Sequence, residues 1–354
     1  MTKKHNHYLD LAFHLAEKNL GRTKLNPTVG TVIVKNGSVI SSGVTSLQGR
    51  PHSEFNALNN LKNCRGATLY TTLEPCTHYG KTPPCTNIII KKKIKNVFYS
   101  FEDPDKRTFK KAKKILSQKG IKTKLIRSKK FSKFYKSYFT NKKLFIPYLT
   151  AKIAISKDYF TINKKEKWIT NKISRNKVHL LRSMHDCVLS TSKSINRDDS
   201  LLNCRINGLN NNKPDLFIID LKLNLRKKLS LKKYLQIRKT FLITNKNNIN
   251  KTLVYKKLGY KFIFINKLKD KNDFNLLFKK IYKKGYSRML IETGLTFLNT
   301  LIKYKIVHEL YIFKSDKKLG KNGKNNTSSG YLKSIRPKLL TINLNGDNLL
   351  KKEF

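Results

Sequence analysis

The chain has 354 residues, of which 39% are hydrophobic, and its formal net charge is +55. This length exceeds that of one typical core and predicts two domains, and no apolar run approaches the roughly 20 residues of a membrane-spanning helix. Five scattered cysteines, an odd number, argue against a disulfide framework and favour a reducing cytoplasm.

The strong positive charge allows two interpretations. A nucleic-acid binder would carry such a charge, but so would a chain whose composition has drifted toward Lys, Asn and Ile. The lysines occur in every segment and form no separate basic tail. We therefore favour drift over nucleic-acid binding, and we expect the positive surface to help capture a phosphorylated small molecule.

The first part of the chain alternates helices and strands. An opening helix carries Leu9, Phe13, Ala16 and Leu20 on one apolar face and lacks the features of a signal peptide. Asn36-Gly37 between two β-rich runs predicts a hairpin. The later elements predicted here are helices at 52–61, 86–94 and 110–120 and strands at 67–73, 96–101 and 121–126. Together they indicate a layered α/β domain.

A segment from Arg127 to Pro147 interrupts this alternation, and a new strand begins at Pro147. We place the domain boundary near residue 145, which gives domains 1–145 and 146–354. The strands predicted in the second domain lie at 185–191, 215–220, 239–244, 261–265, 288–293 and 308–313. Helices interleave them, so the second domain is also α/β.

Two stretches of the first domain, GRPHSEF and LEPCTHYGKTPPC, concentrate side chains that bind metals or move protons. A catalytic zinc site takes three protein ligands and leaves the fourth position to water, and His52, Cys76 and Cys85 supply one nitrogen and two sulfurs. Glu54, at the predicted start of a helix, can face that water without being a ligand. Zinc deaminases combine these parts, because zinc lowers the pKa of the water and the glutamate moves protons.

Other interpretations of these residues exist. Cys76 alone could be a buried thiol, and a closed structural zinc site would need a fourth protein ligand, for which His78 is the near candidate. The joint pattern is much rarer than its parts, and a helix that begins at Cys85 would favour a thiolate there. The sequence therefore predicts a catalytic zinc site.

Four motifs of the first domain, NPTVGTVIV, GRPHSEFNAL, TLEPCTHYGKTPPC and EDPD, resemble one family. It is the bifunctional riboflavin-biosynthesis enzyme, a pyrimidine deaminase fused to a uracil reductase. The eight-residue spacer between the cysteines differs from the shorter one of tRNA adenosine and cytidine deaminases, and Ser53 replaces the family's alanine. The resemblance implies a cytidine-deaminase-like three-layer fold. It also implies substrate contacts from Asn26, Lys81 and Asp103, although Asn26 before Pro27 is equally typical of a turn and Lys81 of a solvated lysine.

The second domain has no G-x-G-x-x-G after a strand, so a Rossmann site has no support. RMLIETGLTFLNTLI predicts a strand, a turn at Gly294 and a helix whose free N–H groups suit a phosphate. Together with KWITN and VHLLRSMHDCVLSTSKSINRDDSLLNCR, it resembles the reductase half of the same enzyme, with a dihydrofolate-reductase-like fold. The resemblance implies NADPH contacts from Ala154, Trp168, Ser194, Asp198, Gly294, Leu295 and Thr296. It implies substrate contacts from Arg182, Leu202, Arg205 and Glu292, the arginines as a phosphate clamp.

Several positions depart from the family pattern in the reductase half and bring NADPH affinity into question. They are Tyr159 for glycine, Ser200 for proline, Asn203 for threonine, Leu221 for serine and Glu166 for a smaller polar residue.

Taken together, the sequence predicts a cytoplasmic, homo-oligomeric, bifunctional enzyme. It would use Zn²⁺ to deaminate 2,5-diamino-6-(5-phosphoribosylamino)pyrimidin-4-one and NADPH to reduce the ribosyl chain to ribityl. One alternative is a deaminase whose second domain is no longer catalytic, as the departures suggest. Another is a zinc deaminase or binding protein of nucleic acids, which the charge suggests and the cysteine spacer and second domain oppose.

Overall fold

The structure is a computed structural model that describes residues 2–209, 214–327, 331–332 and 334–354. The chain divides into two compact units, Met1–Phe145 and Ile146–Phe354. Within the described residues, no helix has the length and apolar character that crossing a membrane requires.

The first unit is built on a five-stranded sheet with helices on both faces. Its elements are α1 (Thr2–Glu17), β1 (Gly30–Lys35), β2 (Ser38–Val44), α2 (Ser53–Leu58), β3 (Thr68–Leu73), α3 (Cys85–Lys91), β4 (Asn96–Phe101), α4 (Ala112–Ser117), β5 (Lys122–Leu125) and α5 (Lys136–Leu144). The strand order is β2-β1-β3-β4-β5. β1 runs antiparallel to β2 and β3, whereas β3, β4 and β5 are parallel.

Successive side chains of each strand point to opposite faces of the sheet, so both faces of this unit can pack against helices. Val32 and Val34 pack with Leu9 of α1 on one face, and Ile33 packs with Leu58 of α2 on the other. Gly30 allows α1 to approach β1, because a Cβ there would lie 1.9 Å from the carbonyl oxygen of Ala12. The result is a helix–sheet–helix arrangement.

The second unit contains a nine-stranded sheet and a separate two-stranded one. Its elements are β6 (Tyr148–Ile155), β7 (Phe160–Asn163), α6 (Lys172–Ser183), β8 (Cys187–Thr191), α7 (Ser192–Asp198), β9 (Asp215–Ile219), β10 (Thr240–Asn245), α8 (Thr252–Lys257), β11 (Lys261–Ile265), α9 (Lys271–Lys283), β12 (Arg288–Ile291), α10 (Leu295–Lys303), β13 (Glu309–Lys314), β14 (Gly323–Asn326), β15 (Lys338–Leu339) and β16 (Asn348–Glu353). The strand orders are β11-β10-β9-β8-β12-β6-β13-β16-β15 and β14-β7.

The large sheet is parallel from β11 to β13 and has an antiparallel edge made by β16 and β15. Phe217, Phe274 and Leu298 belong to the core on one face, and Val178, Ile195 and Leu242 to the core on the other. In such parallel sheets, ligands bind outside the carboxyl ends of the strands. The loops after β8 and β12 lie at this edge.

Candidate active sites

The three predicted metal ligands converge in the first unit. The ligand atoms of His52, Cys76 and Cys85 lie within 4.8 Å of one another. Nδ1 of His52 is 3.5 Å from Sγ of Cys76 and 3.4 Å from Sγ of Cys85. Zinc–nitrogen and zinc–sulfur bonds of normal length at a tetrahedral angle would separate these atoms by about 3.5 Å. The donor set therefore fits a zinc ion.

Two close contacts set the position of these ligands. A Cβ at Gly43 of β2 would lie 2.4 Å from the carbonyl oxygen of Ser53, so glycine lets the start of α2 lie against the sheet. The backbone N–H of Cys85, the first residue of α3, donates to Sγ of Cys76 at 3.2 Å. One cysteine thus orients the other, and this N–H favours the thiolate form of Cys76.

The pKa values of the two thiols are shifted in opposite directions. The hydrogen bond from Cys85 lowers the pKa of Cys76 to about 4. The same hydrogen bond, followed by burial, raises the pKa of Cys85. Both cysteines would hold zinc as thiolates.

Glu54 lies beside the cluster and outside the ligand set. It is 4% exposed, and its Oε2 is 3.5 Å from Sγ of Cys85 and 3.1 Å from Oγ of Ser53. Burial raises the pKa of Glu54. A buried carboxyl group beside the metal ligands is placed for proton transfer.

His78 is not part of this cluster. Its Nδ1 lies 3.1 Å from Oγ1 of Thr108, and among the described residues the group that can hold a metal contains only His52, Cys76 and Cys85. A site with three protein ligands leaves a coordination position open, as a catalytic zinc site does. The geometry favours the catalytic interpretation over a closed structural site.

The other predicted residues of this site have different surroundings. Nδ2 of Asn26 donates to the carbonyl oxygen of Gly49, so its side chain connects to the segment that precedes His52. Lys81 is exposed in the segment between the cysteines. Asp103 is 7% exposed and accepts hydrogen bonds from the Tyr138 hydroxyl at 3.1 Å and the backbone N–H of Asp105 at 3.0 Å. A role for Asp103 therefore includes organising its own loop.

Sequence reasoning missed two residues of this site. Arg50 donates to Oγ1 of Thr82 at 2.5 Å, and the same nitrogen lies 3.3 Å from Nε2 of His52. Glu74, which precedes Pro75 and Cys76, is 2% exposed and accepts three backbone N–H groups, from Asp103, Lys110 and Ala112. Glu74 thus ties the strand that leads to Cys76 to the loop that carries Asp103.

We expect Glu74→Ala to loosen this loop. The substitution leaves the N–H groups of Asp103 and Ala112 buried without an acceptor, at about 1–3 kcal/mol each. Hydrogen exchange at the amides of Asp103, Lys110 and Ala112 should become at least about tenfold faster. Glu74→Gln, which keeps one acceptor oxygen, should have a smaller effect. Unchanged amide hydrogen exchange in Glu74→Ala would contradict the role of Glu74 in holding this loop.

The second unit contains a cavity of about 960 Å³ that collects most of the predicted reductase residues. A cavity of this volume suits a cofactor together with a substrate. The predicted residues that line it are Ala154, Trp168, Arg182, Ser194, Asp198, Leu202, Arg205, Glu292, Gly294 and Leu295. Thr296 is not among the lining residues. Gly294 is the N-cap of α10, so this helix begins at the cavity wall with its free N–H groups.

An ion pair forms the polar centre of this cavity. Nε and Nη2 of Arg182 donate to the two carboxylate oxygens of Glu292 at 2.6 and 2.9 Å. Nη1 of Arg182 donates to the carbonyl oxygen of Asn203 at 3.1 Å. Burial alone would raise the pKa of Glu292, but the Arg182 guanidinium outweighs it and holds that pKa below its usual range. Through these hydrogen bonds Arg182 orients Glu292.

Arg205 is the more exposed of the two arginines, and its Nη1 donates to Oδ1 of Asn203 at 2.8 Å.

Two further residues that line this cavity, Lys152 and His179, were not predicted from the sequence. Nζ of Lys152 lies 3.9 Å from Oε2 of Glu292, and burial lowers the Lys152 pKa. His179 has its pKa lowered to about 4 by burial and by Arg182, so it is neutral at pH 7. Lys152 could have been identified from the sequence, because it is the single lysine inside an otherwise apolar strand.

The positions at which the second unit departs from the family pattern have different surroundings in the structure. Tyr159 has a φ of +70°, a conformation that glycine adopts without strain, and Nζ of Lys314 lies 4.2 Å from its ring centroid. Asn203 supplies the acceptors for Arg182 and Arg205 described above.

Ser200 and Glu166 line the cavity, whereas Leu221 packs against the core. Trp168 is 51% exposed, so it is not a core aromatic.

Comparisons with known proteins cover both units. Residues 2–101 match the model of the cytidine and deoxycytidylate deaminase zinc-binding region, and residues 147–349 match that of the RibD C-terminal domain. The riboflavin biosynthesis protein RibD of Aquifex aeolicus is 32% identical over 88% of this chain and 87% of its own length.

Two solved structures are similar over nearly the whole chain. Acinetobacter baumannii RibD gives a TM-score of 0.85 at 26% identity and covers 99% of this chain and 98% of its own. A diaminohydroxyphosphoribosylaminopyrimidine deaminase/5-amino-6-(5-phosphoribosylamino)uracil reductase from Thermotoga maritima gives 0.82 at 25% identity, with 99% of both chains covered.

The predicted fold class, the two enzyme types and the cofactors zinc and NADPH are thereby confirmed. The chain is bifunctional, with a zinc-dependent deaminase domain followed by an NADPH-dependent reductase domain. It belongs to the RibD family of riboflavin biosynthesis proteins.

Proposed function

We propose that the chain deaminates 2,5-diamino-6-(5-phosphoribosylamino)pyrimidin-4-one and then reduces the ribosyl chain of the product to ribityl. The observation that carries the first step is the convergence of His52, Cys76 and Cys85 beside the buried carboxyl group of Glu54. We assign the deaminase to 1–145 and the reductase to 146–354. We also expect a cytoplasmic homo-oligomer.

In the first step, His52, Cys76 and Cys85 would hold zinc, whose Lewis acidity makes water nucleophilic near neutral pH. Glu54 takes a proton from the attacking water and delivers it to the departing amine. Burial favours this exchange, because it raises the pKa of Glu54 toward the working pH, where the carboxylate accepts a proton more readily and the acid formed can still donate it. Asn26, Lys81 and Asp103 would bind the pyrimidine and ribose-phosphate parts of the substrate.

In the second step, NADPH would supply a hydride, and the protein aligns it with the sugar. Trp168, Ser194, Asp198 and the start of α10 line the part of the cavity that we assign to the cofactor, with Ala154, Leu295 and the adjacent Thr296. Glu292, held by Arg182, would bind the substrate together with Leu202. Arg205 would contact the phosphate, because its guanidinium is the more accessible one.

A two-stage assay tests this function. Zinc-loaded protein is incubated with the phosphoribosylaminopyrimidine, ammonia is measured, and NADPH is then added and its absorbance followed. We expect ammonia release without NADPH, followed by NADPH consumption. An absence of ammonia would refute the deaminase assignment. Ammonia release without later NADPH consumption would support the alternative of a non-catalytic second domain.

We expect Glu292→Ala to abolish the reductase step. The substitution leaves the Arg182 guanidinium partly buried beside Lys152 without a counter-charge, and breaking such a buried pair costs about 3–5 kcal/mol. NADPH consumption should fall below detection while ammonia release persists. Glu166→Ala removes an exposed charge from the same cavity and should leave thermal stability nearly unchanged. Wild-type NADPH consumption in Glu292→Ala would contradict this role.

A further inference from the structure

Three buried hydroxyl groups form a row that ends at Glu54. Oγ of Ser53 lies 3.1 Å from Oε2 of Glu54 and 2.8 Å from Oγ1 of Thr31. Oγ1 of Thr31 lies 3.2 Å from Oγ1 of Thr71. All three residues are 0% exposed. We refer to Ser53, Thr31 and Thr71 as the hydroxyl row; it runs from β3 through β1 to the first residue of α2.

The chemistry of the carboxylate fixes the direction of the hydrogen bond that Ser53 makes with Glu54. Ionised Glu54 can only accept, so the hydroxyl proton of Ser53 points to it. Ser53 must then accept from Thr31 at the 2.8 Å contact, and Oγ1 of Thr71 at 3.2 Å is a second acceptor within reach of the Thr31 hydroxyl. The hydroxyl row therefore presents one oriented donor to Oε2 of Glu54, and hydrogen bonds in such a chain strengthen one another.

We propose that Ser53, held by Thr31, is a positioning residue that fixes the carboxylate of Glu54 for proton transfer. The inference rests on the proposed deaminase function. Because Ser53 is buried behind Glu54, it acts on the rate of the reaction and not on substrate affinity.

The test compares Ser53→Ala with wild type in ammonia release, zinc content and thermal unfolding. One hydrogen bond corresponds to a decrease in kcat of about three- to tenfold, with KM and zinc content unchanged. Thr31→Val, which removes the donor to Ser53, should give a smaller decrease. Ser41→Ala is the matched control, because the Ser41 hydroxyl donates to the carbonyl oxygen of Ala57 in the same helix and should leave kcat unchanged.

A double-substitution cycle separates positioning from a general structural effect. In a Glu54→Gln background, Ser53→Ala should cause no further loss of the residual rate, since the group that it positions no longer transfers protons. The same fractional loss in both backgrounds, or a wild-type kcat in Ser53→Ala at full zinc content, would overturn the proposal. If zinc-loaded wild type releases no ammonia, the deaminase assignment itself fails, and this proposal fails with it.

Discussion

Glu54→Gln is expected to lower kcat for ammonia release by about 10²- to 10⁴-fold, the usual contribution of a general acid–base group. The amide cannot accept a proton from water or deliver one to the departing amine. Zinc content should equal that of wild type, because Glu54 is outside the group His52, Cys76 and Cys85. The measurement pairs steady-state ammonia release with metal analysis of the same sample.

The matched control for this substitution is Glu17→Gln. Glu17 is a half-exposed carboxylate at the end of α1, and its replacement should change neither rate nor metal content. NADPH consumption with the deaminated intermediate as substrate should also be unaffected by Glu54→Gln, since other residues form that site. Full ammonia release in Glu54→Gln would remove the proton shuttle from the mechanism.

Cys85→Ser is expected to remove zinc and, with it, all measurable ammonia release. A serine hydroxyl does not ionise as a thiol does, so the site loses one of its two thiolate ligands. The melting temperature of the first unit should also fall, because bound metal stabilises the folded state by mass action. Atomic absorption of the purified variant and calorimetry check the two effects.

Cys64→Ser provides the comparison for this variant. Cys64 is buried in the same unit but lies outside the metal cluster, with its thiol near the carbonyl oxygen of Lys92. Its replacement should retain zinc and ammonia release. A zinc content in Cys85→Ser equal to that in Cys64→Ser would show that Cys85 is not a ligand.

The sequence predicted the first unit well because its elements carry local signals. Asn36 and Gly37 both have positive φ, as a tight hairpin between β1 and β2 requires, and the predicted strand at 96–101 is β4. The interrupted segment at 127–147 contains α5. Its mixture of lysines and aromatic residues obscures the helical period, and the structure shows that Ser137, Tyr138 and Asn141 lie on the buried side.

In the second unit, the strands that the sequence did not predict are β7, β14, β15 and β16. β14 and β16 are polar, GKNN and NLLKKE, and they are strands because they pair with β7 and β13. Pairing with a distant partner leaves little trace in the local sequence. The same reason explains the missed residues Glu74 and His179, whose partners are far along the chain.

The metal ligands were predictable because zinc chemistry restricts the side chains that can serve and two of them flank one short loop. The substrate and cofactor residues were not predictable from pattern alone and came from resemblance. The structure adds what neither source provides, such as the engagement of Arg182 by Glu292. A prediction from residue type states what a side chain can do, whereas its partners determine what it does.

X-ray absorption at the zinc edge tests the central claim most directly. For the zinc-loaded protein, the account predicts two sulfur scatterers at about 2.3 Å, a single imidazole and one further light atom. A spectrum with two imidazoles, the second from His78, or with fewer than two sulfurs would contradict it.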